Sequence, residues 1–150
     1  MAKVEKTVLI EHAAAAMFAL VDQVEDYPQF LPWCGGTRLI ERTQDITLAT
    51  IEIDYHGVRQ RFTTLNRKQS PEWMHIELKE GPFRHLTGHW HFKALADTAC
   101  KVELLLEYEF SSKMLEKVVG PVFGYIAGTL VEAFVARAES GASNPATDRE

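Results

Sequence analysis

Residues 100–138, CKVELLLEYEFSSKMLEKVVGPVFGYIAGTLVEAFVARA, change their hydrophobic period halfway along. Up to Phe110, the residues Cys100, Val102, Leu104, Leu106, Tyr108 and Phe110 alternate with Lys101, Glu103, Glu107 and Glu109, as in a strand with one dry face. Ser111-Ser112 then offers an N-cap. From Lys113 to Ala138 the apolar positions Leu115, Val119, Val122, Phe123, Ile126, Leu130, Ala133 and Phe134 project onto one stripe of a helix, about 26 residues and roughly 39 Å long. A strand that is dry on one side and runs straight into such a helix predicts that the stripe covers the dry face. Gly120-Pro121 predicts a kink, because proline removes a backbone hydrogen bond and clashes with the preceding turn.

Upstream, the chain from Cys34 to Phe110 divides into six strand-like segments. Their boundaries are turn signals at Cys34-Gly35-Gly36, Thr43-Gln44-Asp45, His56-Gly57, Gln69-Ser70-Pro71-Glu72, Gly81-Pro82 and Ala96-Asp97-Thr98. One hairpin, IEIDYHGVRQRF at 51–62, can be registered from its charges. A two-residue His56-Gly57 loop sets Asp54 opposite Arg59, Glu52 opposite Arg61, Ile53 opposite Gln60 and Ile51 opposite Phe62. A slip of one residue breaks the charge pairing and the apolar pairing together. In the sixth strand, Leu86, Gly88, Trp90 and Phe92 share one face, and His85, Thr87, His89 and His91 share the other.

Before these strands, residues 3–10 read as a first strand, His12 to Val21 as a helix, and Glu25 to Phe30 as a short helical turn. The predicted fold class is therefore α+β. A curved seven-stranded antiparallel sheet is wrapped around a long C-terminal helix, with two short helices after strand 1, as in a helix-grip fold. Residues 1–138 form one domain, and the tail 139–150, which lacks apolar residues, is expected to be mobile.

The 150 residues are 46% hydrophobic and 25% charged, with a formal net charge of -5. That composition belongs to a globular chain and disfavours a role as a general polyanion-coating protein. Cys34 and Cys100 are the only cysteines, which fits a reducing compartment. MAKVEKTVLIEH carries no apolar leader, and no run reaches the ~20 consecutive apolar residues of a membrane span. A cytoplasmic protein without a transmembrane segment is expected, with peripheral membrane contact left open.

The inner face, read by alternation, contains no Asp, Glu or His. It comprises Ile51, Ile53 and Tyr55, then Val58, Gln60, Phe62 and Thr64, then Met74, Ile76 and Leu78, and the sets already given for the last two strands. Arg84 and Lys6 fall in phase with it near strand ends. An interior without an acid or base is suited to holding a molecule, and no catalytic residue is assigned. His85, His89 and His91 have a spacing compatible with zinc, but no further ligand lies near them in the sequence, so no metal is expected. Arg59, Arg61, Arg67 and Lys68 make a basic strand segment that could meet nucleic acid, although Glu52, Asp54 and Glu77 oppose it. Gly120, Gly124 and Gly128 fall on the helix side away from the apolar stripe. They could admit a backbone, a partner helix or an apolar ligand, or simply soften the helix. The connecting segment VEDYPQFLPWC, 24–34, concentrates Tyr27, Phe30, Leu31 and Trp33 where loops are normally polar, so it either plugs the core or lines a site.

VEDYPQFLPWC, together with HGVRQRFTT and the helix through GPVFGYIAGTL, resembles the coenzyme Q-binding and ribosome association toxin branch of the START-like, polyketide cyclase/dehydrase-like superfamily over about residues 1–138. Tyr27, Pro28, Phe30, Leu31, Pro32, Trp33 and Cys34 match the branch's loop motif, and Gly120, Pro121, Val122 and Phe123 match its helix. The resemblance implies one of two activities. In the first, the chain is a non-enzymatic carrier or chaperone that supports respiration by holding ubiquinone or a related isoprenoid lipid. Its site would comprise Tyr27, Phe30, Leu31 and Trp33 of the loop; Gln60, Phe62, Thr64, Trp90 and Tyr108 of the sheet; and Val119, Val122, Phe123, Ile126 and Leu130 of the helix. In the second, the chain binds the large ribosomal subunit and blocks subunit joining, with Arg59, Arg61, Arg67 and Lys68 as the contact. A polyketide cyclase-like enzyme using Tyr55 or Arg84 is a third reading. A first strand beginning almost at Met1 leaves no mitochondrial targeting extension, so a bacterial protein is expected.

Overall fold

The computed structural model describes residues 1–141. Seven antiparallel strands form one sheet: β1 (Ala2–Ile10), β2 (Cys34–Arg42), β3 (Ile46–Tyr55), β4 (Val58–Gln69), β5 (Trp73–Glu80), β6 (Phe83–Ala96) and β7 (Ala99–Phe110). Their spatial order is β1-β7-β6-β5-β4-β3-β2. β1 pairs with the last strand, Val8 opposite Val102, so the chain must cross the whole sheet to start β2 at the far edge. That crossing is made by α1 (Ala14–Asp22), a 3₁₀ turn at Val24–Asp26 and α2 (Tyr27–Phe30), and the long α3 (Lys113–Glu139) follows β7. This is the helix-grip arrangement expected from the sequence, a seven-stranded antiparallel sheet with a long C-terminal helix laid against it.

The β3–β4 hairpin has the register its charges demanded: Asp54 faces Arg59, Glu52 faces Arg61, and the guanidinium of Arg59 lies 3.6 Å from Asp54. His56 and Gly57 both have positive φ, 51° and 81°, the geometry of a two-residue hairpin turn whose twist matches the strands. Register shifts interrupt β2 against β3, β4 against β5 and both ends of β6 against β7. Such irregularities bend a sheet locally. They supply the curl into which α3 is laid.

Ser112 caps α3, its Oγ accepting from the Leu115 amide at 3.1 Å, and the helix runs unbroken to Glu139 with Pro121 inside it. The helix thus extends one residue beyond the expected domain end, and the rest of the expected tail, from 142 on, lies outside the described residues. The buried stripe of α3 is rotated from the one projected by sequence. Ala127 and Val131 join Val119, Phe123, Ile126 and Phe134 in the core, while Val122, Leu130 and Ala133 are only half-buried. Because of this rotation the glycines flank the buried stripe. A Cβ at Gly120 would lie 3.8 Å from Phe110 and one at Gly124 4.0 Å from the Tyr108 hydroxyl, ordinary contact distances, so the packing of α3 on β7 does not require glycine there. By length and composition α3 could span a membrane, with a mean hydropathy of 1.7 over its best 18 residues, which the count of consecutive apolar residues missed. One third of that window is buried, as expected for a helix laid on a sheet.

Under α3 and α1 the core is aromatic. Phe18 of α1 meets Phe92 edge-on at 5.6 Å, and Trp90 stacks on Phe92 at 5.8 Å and meets Phe134 of α3 at 5.6 Å. Each such fully buried side chain contributes about 1.5–3 kcal/mol relative to exposure.

Candidate functional site

The loop motif is held from three directions. Tyr27, at the start of α2, is buried, donates its hydroxyl to the Val21 carbonyl, and packs edge-to-face on Phe134 at 5.5 Å. Burial raises the pKa of this phenol well beyond its ordinary value, with the Asp22 carboxylate adding to the effect, so it stays protonated. Phe30 meets Phe134 at 5.4 Å and carries the Arg137 guanidinium over its ring at 4.9 Å, while Arg137 also donates to Gln29 at 2.7 Å. Leu31 and Trp33 are buried. The segment therefore plugs the core, and two of its rings also line a space within it.

An ionic network anchors the start of this segment to the sheet. Arg42 of β2 donates two 2.7 Å bonds to Glu25 and one of 2.8 Å to the Asp22 carbonyl. The hydrogen bond from Arg42 is the main cause that keeps Glu25 below its ordinary carboxyl range. The Lys68 Nζ lies 2.8 Å from Asp22 Oδ2 and 2.9 Å from the Thr47 hydroxyl, which in turn donates to Asp22 Oδ1 at 2.6 Å. Lys68 therefore departs from the basic surface segment expected of it. It shares the inner face of β4 with Phe62, Thr64 and Asn66, is buried, and has no surface to offer a ribosome. The simple alternation places it there, two residues beyond Asn66. The inner face is thus not uncharged: Lys68 is neutralised at one end by Asp22, and Lys6 of β1, near the edge of the same face, pairs with Glu132 of α3 at 3.6 Å.

Between the sheet, α3 and the loop motif lies a cavity of about 80 Å³. Of the residues expected to hold a ligand, Tyr27, Trp33, Phe62, Thr64, Trp90, Phe123, Ile126 and Leu130 line it. Phe30, Leu31, Gln60, Tyr108, Val119 and Val122 do not: Gln60 sits near the turn of the β3–β4 hairpin, Leu31 and Val119 are consumed by packing, and Tyr108 turns toward Phe123, 4.7 Å away. The site also includes residues that sequence reasoning left out, among them Val21, Val24, Ala127 and Phe134 from the helices, and Asn66. Continuing the β4 alternation past Thr64 would have found Asn66. Nothing in the pattern could have found Val21, because α1 reaches the cavity only through the crossing of the sheet.

No Asp, Glu, His, Lys, Arg or Cys lines the cavity. Arg84, expected near the inner face, is turned out by the irregularity at Phe83–His85 and pairs with Glu109 at 2.9 Å. Tyr55 stacks on Tyr125 of α3 at 5.6 Å, outside the cavity. A space of this size holds two or three waters, at about 30 Å³ each, and is a fraction of the ~300–1,000 Å³ of ordinary ligand pockets. It is a closed seam that α3 and the loop must open to admit anything larger.

The opposite sheet face carries the other candidate residues. Arg59 and Arg67 are exposed and paired with Asp54 and Glu77, at 3.6 and 3.7 Å. Arg61 lines a shallow groove of about 770 Å³ with Arg38, Lys79, Glu52 and Glu80. On the same face His89 stacks against Trp73 at 6.4 Å and lies 6.1 Å from His75, and His91 pairs with Glu103 at 3.2 Å. Partial burial lowers the His89 pKa, with the charges of His75 and His91 acting in the same direction. Among the described residues, no three His, Cys, Asp or Glu side chains converge as a metal site would require.

A curved sheet closed by one long helix over a largely apolar seam is the helix-grip architecture of START-like proteins. This chain belongs to the polyketide cyclase/dehydrase and lipid transport family, which matches residues 10–135. It is 39% identical over 139 residues to the ribosome association toxin RatA of Vibrio cholerae, covering 93% of this chain and 96% of that one. It is 24% identical over 143 residues to the mitochondrial coenzyme Q-binding protein coq10 of Schizosaccharomyces pombe, covering 87% and 83% of the two chains. The structure of the ZhuI aromatase/cyclase from Streptomyces sp. R1128 superposes with a TM-score of 0.77 at 18% identity, over 94% and 95% of the two chains, a likeness of fold alone.

Proposed function

We propose that this protein is a non-enzymatic binding protein for an isoprenoid quinone or a similar lipid, held between the sheet and α3. The observation that carries this reading is the seam itself, lined mainly by apolar side chains and, among the described residues, by no Asp, Glu, His, Lys, Arg or Cys that could act as acid or base. Each buried CH₂ of a ligand tail contributes about 0.8 kcal/mol, so a long isoprenoid supplies ample driving force to part α3 from the loop. The kinship with coq10 supports a quinone as the ligand. Native mass spectrometry of the protein as purified, with organic extraction, tests it. A bound lipid mass, and quenching of Trp33 and Trp90 by added quinone, are expected. An empty protein with no quenching overturns it.

A second reading has its own support in the 39% identity with a ribosome association toxin over nearly the whole chain. In this reading the exposed Arg38, Arg61 and Lys79 around the outer groove meet the large ribosomal subunit, with Arg59 and Arg67 beside them. Sucrose-gradient profiles after overexpression test it: free subunits should accumulate at the expense of joined ribosomes, and Arg61→Glu should reverse the shift. Unchanged profiles refute it. The two activities use opposite faces of the sheet and can coexist.

A further inference from the structure

We propose that Asn66 is the head-group anchor of the seam, and that the ligand it selects has a neutral head carrying a hydroxyl that donates to the Asn66 Oδ1. This rests on the reading of the seam as a lipid site. Asn66 is 93% buried on the inner face of β4 and lines the cavity, yet its Oδ1 has no hydrogen-bond partner. A buried amide left unmatched costs on the order of 1–3 kcal/mol, and an apolar residue would fill the same position without that cost. Such a group is retained in a sheet interior when something else completes it.

The other polar groups nearby are already committed. Lys68, the next inward residue of β4, spends its ammonium on Asp22 and Thr47. Tyr27 spends its hydroxyl on Val21. Thr64, adjacent to Asn66 on the same face, is the other side-chain hydroxyl on the cavity wall. A ligand head seated there therefore meets one amide and one threonine and no free cation. A carboxylate or phosphate would enter without a counter-charge, which a low-dielectric seam penalises heavily. A bare hydrocarbon would leave the amide unmatched. A quinol or phenol donates its hydroxyl to the Asn66 Oδ1 and carries no charge, whereas a quinone carbonyl only accepts and would leave that oxygen unmatched.

The experiment is a titration, followed by tryptophan fluorescence, with four probes: a short-chain ubiquinol kept reduced, an alkylphenol, decanoate and decylbenzene. Wild type and Asn66→Ala are compared, and thermal melts of both are recorded without ligand. The wild type should bind the ubiquinol and the alkylphenol about tenfold or more tighter than decanoate or decylbenzene. Asn66→Ala should lose that advantage while binding decylbenzene unchanged and melting no lower than wild type by more than a few degrees. Asn66→Val, which restores packing without the amide, should behave like Asn66→Ala. If both variants keep wild-type affinity for the neutral heads, or decanoate binds as tightly as they do, the anchor is refuted. If the ubiquinol fails but the alkylphenol binds through Asn66, the quinone reading falls and the anchor stands. If neither neutral head binds, the amide completes itself with buried water and the anchor falls.

Discussion

Replacing Lys68 by methionine keeps the length of the side chain and removes only its charge. In the folded protein that leaves the Asp22 carboxylate, 14% exposed, with the Thr47 hydroxyl at 2.6 Å and the Arg42 Nε at 3.6 Å as its remaining partners. Breaking a buried pair from one side typically costs about 3–5 kcal/mol, because the orphaned charge cannot regain water. Arg42 offsets part of this, so Lys68→Met should cost about 2–3 kcal/mol, or roughly 5–10 °C in Tm at about 2–4 °C per kcal/mol for a chain of this size. Adding Asp22→Asn removes the stranded charge, so the double variant should recover much of the loss, with a coupling of at least about 1.5 kcal/mol in the double-mutant cycle. Urea unfolding followed by tryptophan fluorescence measures each corner, with an unchanged m-value confirming that the same transition is compared. A change below about 0.5 kcal/mol in Lys68→Met, or additive single effects, would refute the network as the anchor of the loop motif. The same variant also separates structure from partner binding, since a surface contact would lose ribosome association without losing stability.

Gly81→Ala should destabilise by about 2 kcal/mol or more, because its φ is +153° and a new Cβ would sit 2.7 Å from that of Phe62. Gly57→Ala, with φ +81° and open space around it, should cost only about 1 kcal/mol, and chemical denaturation of the pair isolates the clash. Ala127→Leu directs a larger side chain into the seam. It should abolish quinone quenching of Trp33 and Trp90 while changing stability by about 1 kcal/mol or less, read by titration and melting. His89 has its folded pKa lowered, so the unfolded chain binds the proton more readily, and stability should fall as pH drops through about 6.5. With His75, His91, Trp73 and Glu103 as its neighbours, His89→Asn should flatten the decline in Tm between pH 7 and 5.5, and an unaltered slope would contradict the assignment.

What the sequence alone determined follows from local periodicity. Alternation placed the dry and wet faces of β6 and β7, charge complementarity registered β3 against β4, and Ser112 marked the start of α3. These features depend on neighbours within a strand, a hairpin or a helical turn, so the chain carries them without reference to distant residues. Other features were decided by tertiary packing. The rotation of α3 toward Ala127 and Val131 depends on which side of it the curved sheet meets, which a projection of the isolated helix cannot contain. Lys68 reads as one more basic residue until the crossing of α1 and the 3₁₀ turn brings Asp22 to it from 46 positions away. The seam has the same origin, since its walls come from α1, the loop motif, five strands and α3. Whether those apolar surfaces meet fully or leave a gap is set by the curvature of the sheet and not by any one segment.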